Sequence, residues 1–128
     1  TVFRKMEAAH SKRNPSDEAE LDAEFHLAII EASHNIILLH MMRAMFDLLR
    51  AGVFYNRQQM FRQRMTREQL LAQHRAINEA VQMRDPQAAR KAAEDHMSYV
   101  EKQLSDLRRA ESNEEIARLR YQHELARD

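Results

Sequence analysis

Leu21-Asp22-Ala23-Glu24-Phe25-His26-Leu27-Ala28-Ile29-Ile30 reads as one helix whose inner face carries two groups that do not belong in an apolar core. Residues four apart stand one above the other on a helix, so Asp22 and His26 share a face. Phe25 and Ile29 flank them on the side that has to turn inward. A lone buried carboxylate is expensive, and a sequence that places one there usually supplies a partner. Two further histidines fill that role: His74 and His96, each in the apolar stripe of its own helical segment.

The chain around this stretch is built for helices. Its 128 residues are enough for one domain with a real core. One Gly, two Pro and 44% hydrophobic residues predict an all-α protein, because turn-rich β architectures need more punctuation; the arrangement expected of its helices is an antiparallel helical bundle. Twenty basic residues balance twenty acidic ones, whereas a nucleic-acid-binding domain is usually more basic. The lack of cysteine excludes a disulfide framework, a thiolate metal site and a thiol nucleophile. No apolar run approaches the ~20 residues of a membrane span, and the N-terminus lacks a signal-peptide layout. A cytoplasmic protein without membrane contact is expected. Val2, Phe3, Met6 and Ala9 open the chain already in helical period, with no initiator Met, so it reads as a piece of something longer.

Punctuation divides the rest. Asn14-Pro15 ends a first helix at about Lys12, because the residue before proline avoids helical angles. Asn14 can then cap a second helix, with Pro15 at its first position and Asp17 and Glu18 at the positive end of its dipole. That helix closes near Ser33-His34-Asn35, where Asn suits a left-handed terminal position. A third, long helix starts at Ile36, weakened at Gly52, and the Gln- and Arg-rich segment 56–64 reads as a frayed end plus loop. Thr66 with Gln69 forms a capping box opening a fourth helix, with Leu70, Leu71, His74, Ile77 and Val81 as its inner stripe. Asp85-Pro86 restarts the chain into a fifth helix that carries Ala89, Ala92, Ala93, His96, Tyr99, Val100 and Leu104 inward. A second capping box, Ser112 with Glu115, predicts a separate tail helix to about Ala126. The expected organisation is a helical domain over 1–110 and a tail helix over 111–128.

Any one of these histidines alone is an ordinary satisfied core residue. Together, Asp22, His26, His74 and His96 place one carboxylate and three imidazoles on the inner faces of three helices. A nitrogen and oxygen set without sulfur suits zinc, nickel, iron or manganese and does not choose sharply among them. From spacing alone the set reads as a metal site or as buried polar groups that pair among themselves. The remaining histidines, His10, His34, His40 and His123, fall on turns, polar faces or weakly amphipathic ends and are read as solvated. Met41, Met42 and Met45 read as core or subunit interface, and Arg57, Arg62, Arg64 and Arg67 as a solvated face.

Asp22-x-x-Phe25-His26, then Ala32-Ser33-His34-Asn35, then His74-x-x-Ile77-x-x-Ala80, then Asp85 and His96 resembles the C-terminal effector domain (FCD type) of FadR-subfamily transcription regulators in the GntR superfamily. The resemblance spans Asp17 to about Leu104. It implies that Asp22, His26, His74 and His96 hold a divalent metal, zinc foremost, and it makes Asn35 a candidate effector contact. The stretch from Phe25 to Asp47 is similar to the branch that answers to lactate, glycolate or pyruvate. In the family, DNA is bound by an N-terminal winged helix-turn-helix. The effector domain also begins with about two more helices, which contribute an arginine near the effector carboxylate. Neither is found in this sequence, so the chain alone is not expected to grip an operator, and its recognition of an anion is expected to be incomplete.

The reading is therefore a ligand-sensing and oligomerisation domain of a transcription regulator over 1–110. It would be a homodimer that binds a small 2-hydroxy or 2-keto acid at a buried metal and is not an enzyme. One rival is a His/Asp metal-dependent enzyme, which needs an inward general base besides the ligands; periodicity turns Glu24 away and leaves Asp95 beside the ligand face. The other is a metal-free structural dimerisation module.

Overall fold

A computed structural model describes residues 1–47 and 64–126, and among these every regular element is a helix, giving the all-α fold expected from the sequence. The elements are α1 (Val2–Lys12), α2 (Pro15–Ala32), α3 (36–47, where the first described stretch ends), α4 (Arg64–Gln82) and α5 (Pro86–Leu125). The chain divides into two compact units, Thr1–His96 and Met97–Asp128. Gly52 and the segment 56–63, read as a weak point and a loop, lie outside the described residues.

The junctions follow the capping chemistry. Asn14 is extended, with φ −101°, and its side-chain oxygen accepts from the backbone N–H groups of Ser16 and Asp17. These are two of the donors that a helix start leaves orphaned. Asp85 does the same for α5, accepting from the Ala88 N–H at 3.0 Å. At the α2–α3 turn the expectation needs correcting. His34, not Asn35, takes the left-handed conformation (φ 56°). Asn35 instead caps α3, its Oδ1 accepting from the Leu38 N–H at 3.0 Å. An N-cap is the stronger use of a carboxamide, because it satisfies a donor that has no other partner.

Arg13, His34 and Arg84 all have positive φ near 55°, a region that costs a residue with a Cβ roughly 1–2 kcal/mol. At Arg84 the closure is a Schellman motif, with Arg84 N–H donating to Val81 O at 3.1 Å and Asp85 N–H to Ala80 O at 3.0 Å. Arg84 is exposed, so glycine there removes the strain without disturbing a contact. Arg84→Gly is expected to stabilise the protein by about 1 kcal/mol. A lower urea midpoint than wild type would contradict this.

Both sequence-read capping boxes prove to be internal to helices. α4 is already helical at Arg64, two residues before Thr66, and α5 runs unbroken through Ser112. The S/T-x-x-E/Q pattern signals a helix start only where something interrupts the helix before it. No Gly or Pro stands between Pro86 and Ala126, so the propensity of Glu, Arg, Leu and Ala carries the helix through.

Unit 1 has its core where α1 packs on α2 and α4. Phe3, Met6, Phe25 and Ile77 are buried together, with Val2, Leu21, Ile29, Leu71, Ala92 and Ala93 packed around them. The Phe3 and Phe25 rings meet at 6.3 Å in a tilted pair. Val81, expected inside, is exposed, and Ala80 is buried in its place. On α3, Ile36, Ile37, Leu38, Met41 and Met45 are exposed and only Leu39 is buried. Of the Met stripe, Met41 and Met45 are exposed and Met42 is partly buried, so the stripe is not part of the core cluster formed by the described residues.

Candidate metal centre

Phe25 anchors the site. Its ring lies edge-on to His74 at 5.1 Å and to His26 at 5.9 Å, so the residue that fixes α2 against the core also fixes the imidazoles beside it. α2 supplies Asp22 and His26, α4 supplies His74, and α5 supplies His96. One ligand-type atom from each of the four lies within 4.8 Å of all the others. His74 Nε2 is 3.0 Å from Asp22 Oδ1 and 3.4 Å from His26 Nε2. His26 Nε2 is 3.3 Å from His96 Nε2 and 3.8 Å from Asp22 Oδ1. All four residues singled out from sequence come together.

These separations test whether a metal fits. Atoms that share one ion at about 2.0–2.1 Å stand about 3.0 Å apart on an octahedral edge and about 3.3 Å apart on a tetrahedral one. Three of these spacings, at 3.0, 3.3 and 3.4 Å, fall at those values, the Asp22–His26 pair on α2 is wider at 3.8 Å, and the whole set stays within 4.8 Å. Three imidazoles converge through the same nitrogen, Nε2, so their lone pairs or N–H groups face one another. One Nε2–H can donate to Asp22, and one more can donate to His26, but a cation satisfies all of them at once. The donor set therefore fits a divalent ion.

Burial is uneven. His74 is fully buried, His96 is 1% and Asp22 4% exposed, whereas the His26 side chain is 21% exposed. The centre thus meets solvent on the His26 side. Behind His96, Gln73 Oε1 lies 3.0 Å from Nδ1. Spacing gave no hint of this contact, because Gln73 is adjacent in sequence to His74 and touches His96.

Beside the centre lies a second polar group that was misread from sequence. Arg67, read as solvated, is buried. Its Nη2 is 2.6 Å from Glu18 Oε1, its Nε donates to Glu18 Oε2 at 3.1 Å, and Nη2 donates to the His10 carbonyl at 3.2 Å. His10, also read as solvated, is half-buried with Nδ1 3.2 Å from the same carboxylate. Asn35 is exposed and engaged in its cap, and it is not among the converging groups. His34 and His40 are exposed as expected, as is His123.

Neither acid proposed as a general base reaches the centre. Glu24 is exposed and pairs with Lys5 at 3.2 Å. Asp95 is exposed and held by Lys91 at 2.8 Å, and its hydrogen bond and charge raise the Lys91 ammonium above its ordinary pKa.

The chain belongs to the FCD domain family, which matches residues 1–99. It is 44% identical over 87 residues to a protein of Escherichia coli K12 named for regulation of the L-lactate dehydrogenase operon, covering 68% of this chain and 34% of that protein. It is 37% identical over 91 residues to the Glc operon transcriptional activator of the same organism, covering 71% of this chain and 36% of that protein. The chain thus spans about a third of the length of the curated relatives it matches. Membership places it with the regulatory domains of GntR-type regulators and not with enzymes. Among the described residues no helix is long and apolar enough to cross a membrane.

Proposed function

We propose that this domain senses a small carboxylic acid at a divalent metal held by Asp22, His26, His74 and His96, and passes the signal to a DNA-binding domain outside this chain. The observation that carries the reading is the convergence of the four ligand-type atoms, three of them on buried residues. Zinc suits the set best, with nickel, iron and manganese as competitors. When bound, the ion supplies positive charge and open positions for oxygen donors. With one carboxylate among four ligands, the loaded centre keeps a net charge of about plus one in a largely desolvated place, and an anion relieves it.

The half-exposed His26 edge is where such an anion would enter. A 2-hydroxy or 2-keto acid offers two oxygens in chelating position, where a plain monocarboxylate offers a poorer bite. The relative named for the L-lactate dehydrogenase operon supports this class, lactate being a 2-hydroxy acid. α2 carries two ligands and continues through a tight turn into α3, whose exposed apolar side suits a homodimer contact. An effector that binds one arrangement of α2 and α3 better than another would bias the dimer, and only by that difference in affinity. A role in regulating transcription supports a cytoplasmic location.

One observation favours a second reading. The 3.0 Å separation of His74 Nε2 and Asp22 Oδ1 is also a good hydrogen bond, as a metal-free dimerisation module requires. Elemental analysis of protein purified without added metal separates the two, one ion per chain being expected. Calorimetry then tests the effector: lactate, glycolate or pyruvate should bind metal-loaded protein more tightly than acetate and should not bind the chelated form. Equal affinity for acetate would refute the chelation argument, and metal-free protein that takes up no added zinc would refute the centre itself.

A further inference from the structure

We infer that Gln73 is a positioning residue for the metal centre, holding His96 in the tautomer that turns a bare Nε2 toward Asp22, His26 and His74. The inference rests on the proposed function for its consequence, and on the Gln73–His96 contact for its substance.

A neutral imidazole carries one proton, so the partner of one nitrogen decides what the other can do. At His96 the partner of Nδ1 is Gln73, 3.0 Å away. Two arrangements satisfy that distance. With the amide oxygen facing the ring, Nδ1–H donates to it and Nε2 keeps its lone pair. With the amide nitrogen facing the ring, Nδ1 is the acceptor and the proton moves to Nε2, pointing at His26 Nε2 at 3.3 Å. The first arrangement makes His96 a ligand. The second makes it a donor in a metal-free network, and the orientation of one amide separates the two readings of the site.

The surroundings of Gln73 favour the first. Gln73 lines an open groove of about 580 Å³ along α4 and α5, and the charged residues there are Glu79, Asp85, Asp95 and Lys91. Asp95 is paired with Lys91 at 2.8 Å, so Glu79 and Asp85 leave the groove net acidic, and that side suits the amide N–H groups better than its oxygen. The NH2 end then turns to the groove and the oxygen end to His96. A hydrogen-bond acceptor behind a metal-binding imidazole fixes the ring and raises its basicity, and its loss typically costs 10–100-fold in metal affinity.

The test combines a spectroscopic readout with an affinity series. Two-bond 1H–15N correlation spectra of the metal-free protein at neutral pH should show His96 protonated at Nδ1 with a pyridine-type Nε2. Zinc affinity, measured by competition with a chelator of known strength, should fall about 10–100-fold in Gln73→Leu and should be at least as high as wild type in Gln73→Glu, where a carboxylate replaces the amide oxygen. The melting temperatures of the metal-free variants serve as the control for a merely structural role and should stay close to wild type. A wild-type His96 protonated at Nε2 overturns the inference, as does a Gln73→Leu variant that folds and keeps its zinc affinity. Should Gln73→Leu fail to fold, the wild-type spectrum decides alone. A wild type that binds no zinc refutes the proposed function, while the spectrum still decides the tautomer.

Discussion

Arg67→Leu is expected to cost about 3–5 kcal/mol of unfolding free energy, and Glu18→Leu a similar amount, while the double variant should recover most of the loss. The two side chains are 9% and 5% exposed and make a two-point contact, Nη2 to Oε1 at 2.6 Å and Nε to Oε2 at 3.1 Å. Removing either one leaves the other charge buried without its counter-ion, and that orphaned charge, rather than the lost attraction, makes the single changes severe. Removing both puts leucines where Met6 and Leu71 already border the same small cavity, so apolar packing can replace the pair. His10, half-buried, loses its carboxylate but can turn to water. Urea unfolding of the two single variants and the double gives the cycle directly. Additive losses, or a single change within 1 kcal/mol of wild type, would show that the pair is not buried in the way the distances indicate.

That ion pair also shows where sequence reading stops. The fold was legible because its signals are local: Asn14-Pro15 and Asp85-Pro86 mark junctions through their own side chains, and apolar period places Phe3, Met6, Phe25 and Ile77. The convergence of Asp22, His26, His74 and His96 was legible because each lies in an apolar stripe, where a polar residue demands an explanation. Arg67 carries no such mark. It follows Arg57, Arg62 and Arg64 in a basic segment, and only the rotation of α4 decides that it faces Glu18, 49 residues away. Glu18 itself reads as a dipole partner in the first turn of α2, which is a sufficient local explanation and hides the longer-range one. Gln73 escaped for a related reason: its importance comes from a contact with α5, and the residue before a ligand normally points elsewhere. At Asn35 two local rules competed, a left-handed terminus and an N-cap, and the backbone gave the first to His34.

The other large effect is that of the metal on stability. A ligand that binds only the folded state stabilises it by RT ln(1 + [L]/Kd), about 4.1 kcal/mol when the free ligand is a thousandfold above Kd. The four converging groups come from three helices, at positions 22, 26, 74 and 96, so unfolding scatters them and the unfolded chain offers no comparable site. Chelation should therefore lower the melting temperature of zinc-loaded protein, and restoring zinc should recover it. His74→Ala should abolish that difference between loaded and chelated protein, because His74 is fully buried and its Nε2 lies within 3.4 Å of both Asp22 and His26. The substitution will also lower the baseline by leaving a cavity in the core, so the informative quantity is the zinc-dependent shift and not the absolute temperature. His40→Ala, at an exposed position on α3, should leave the shift intact. Equal shifts in the two variants would mean that zinc acts elsewhere on the chain, and no shift in wild type would favour the metal-free network, in which His74 donates to Asp22 and the centre is held by hydrogen bonds alone.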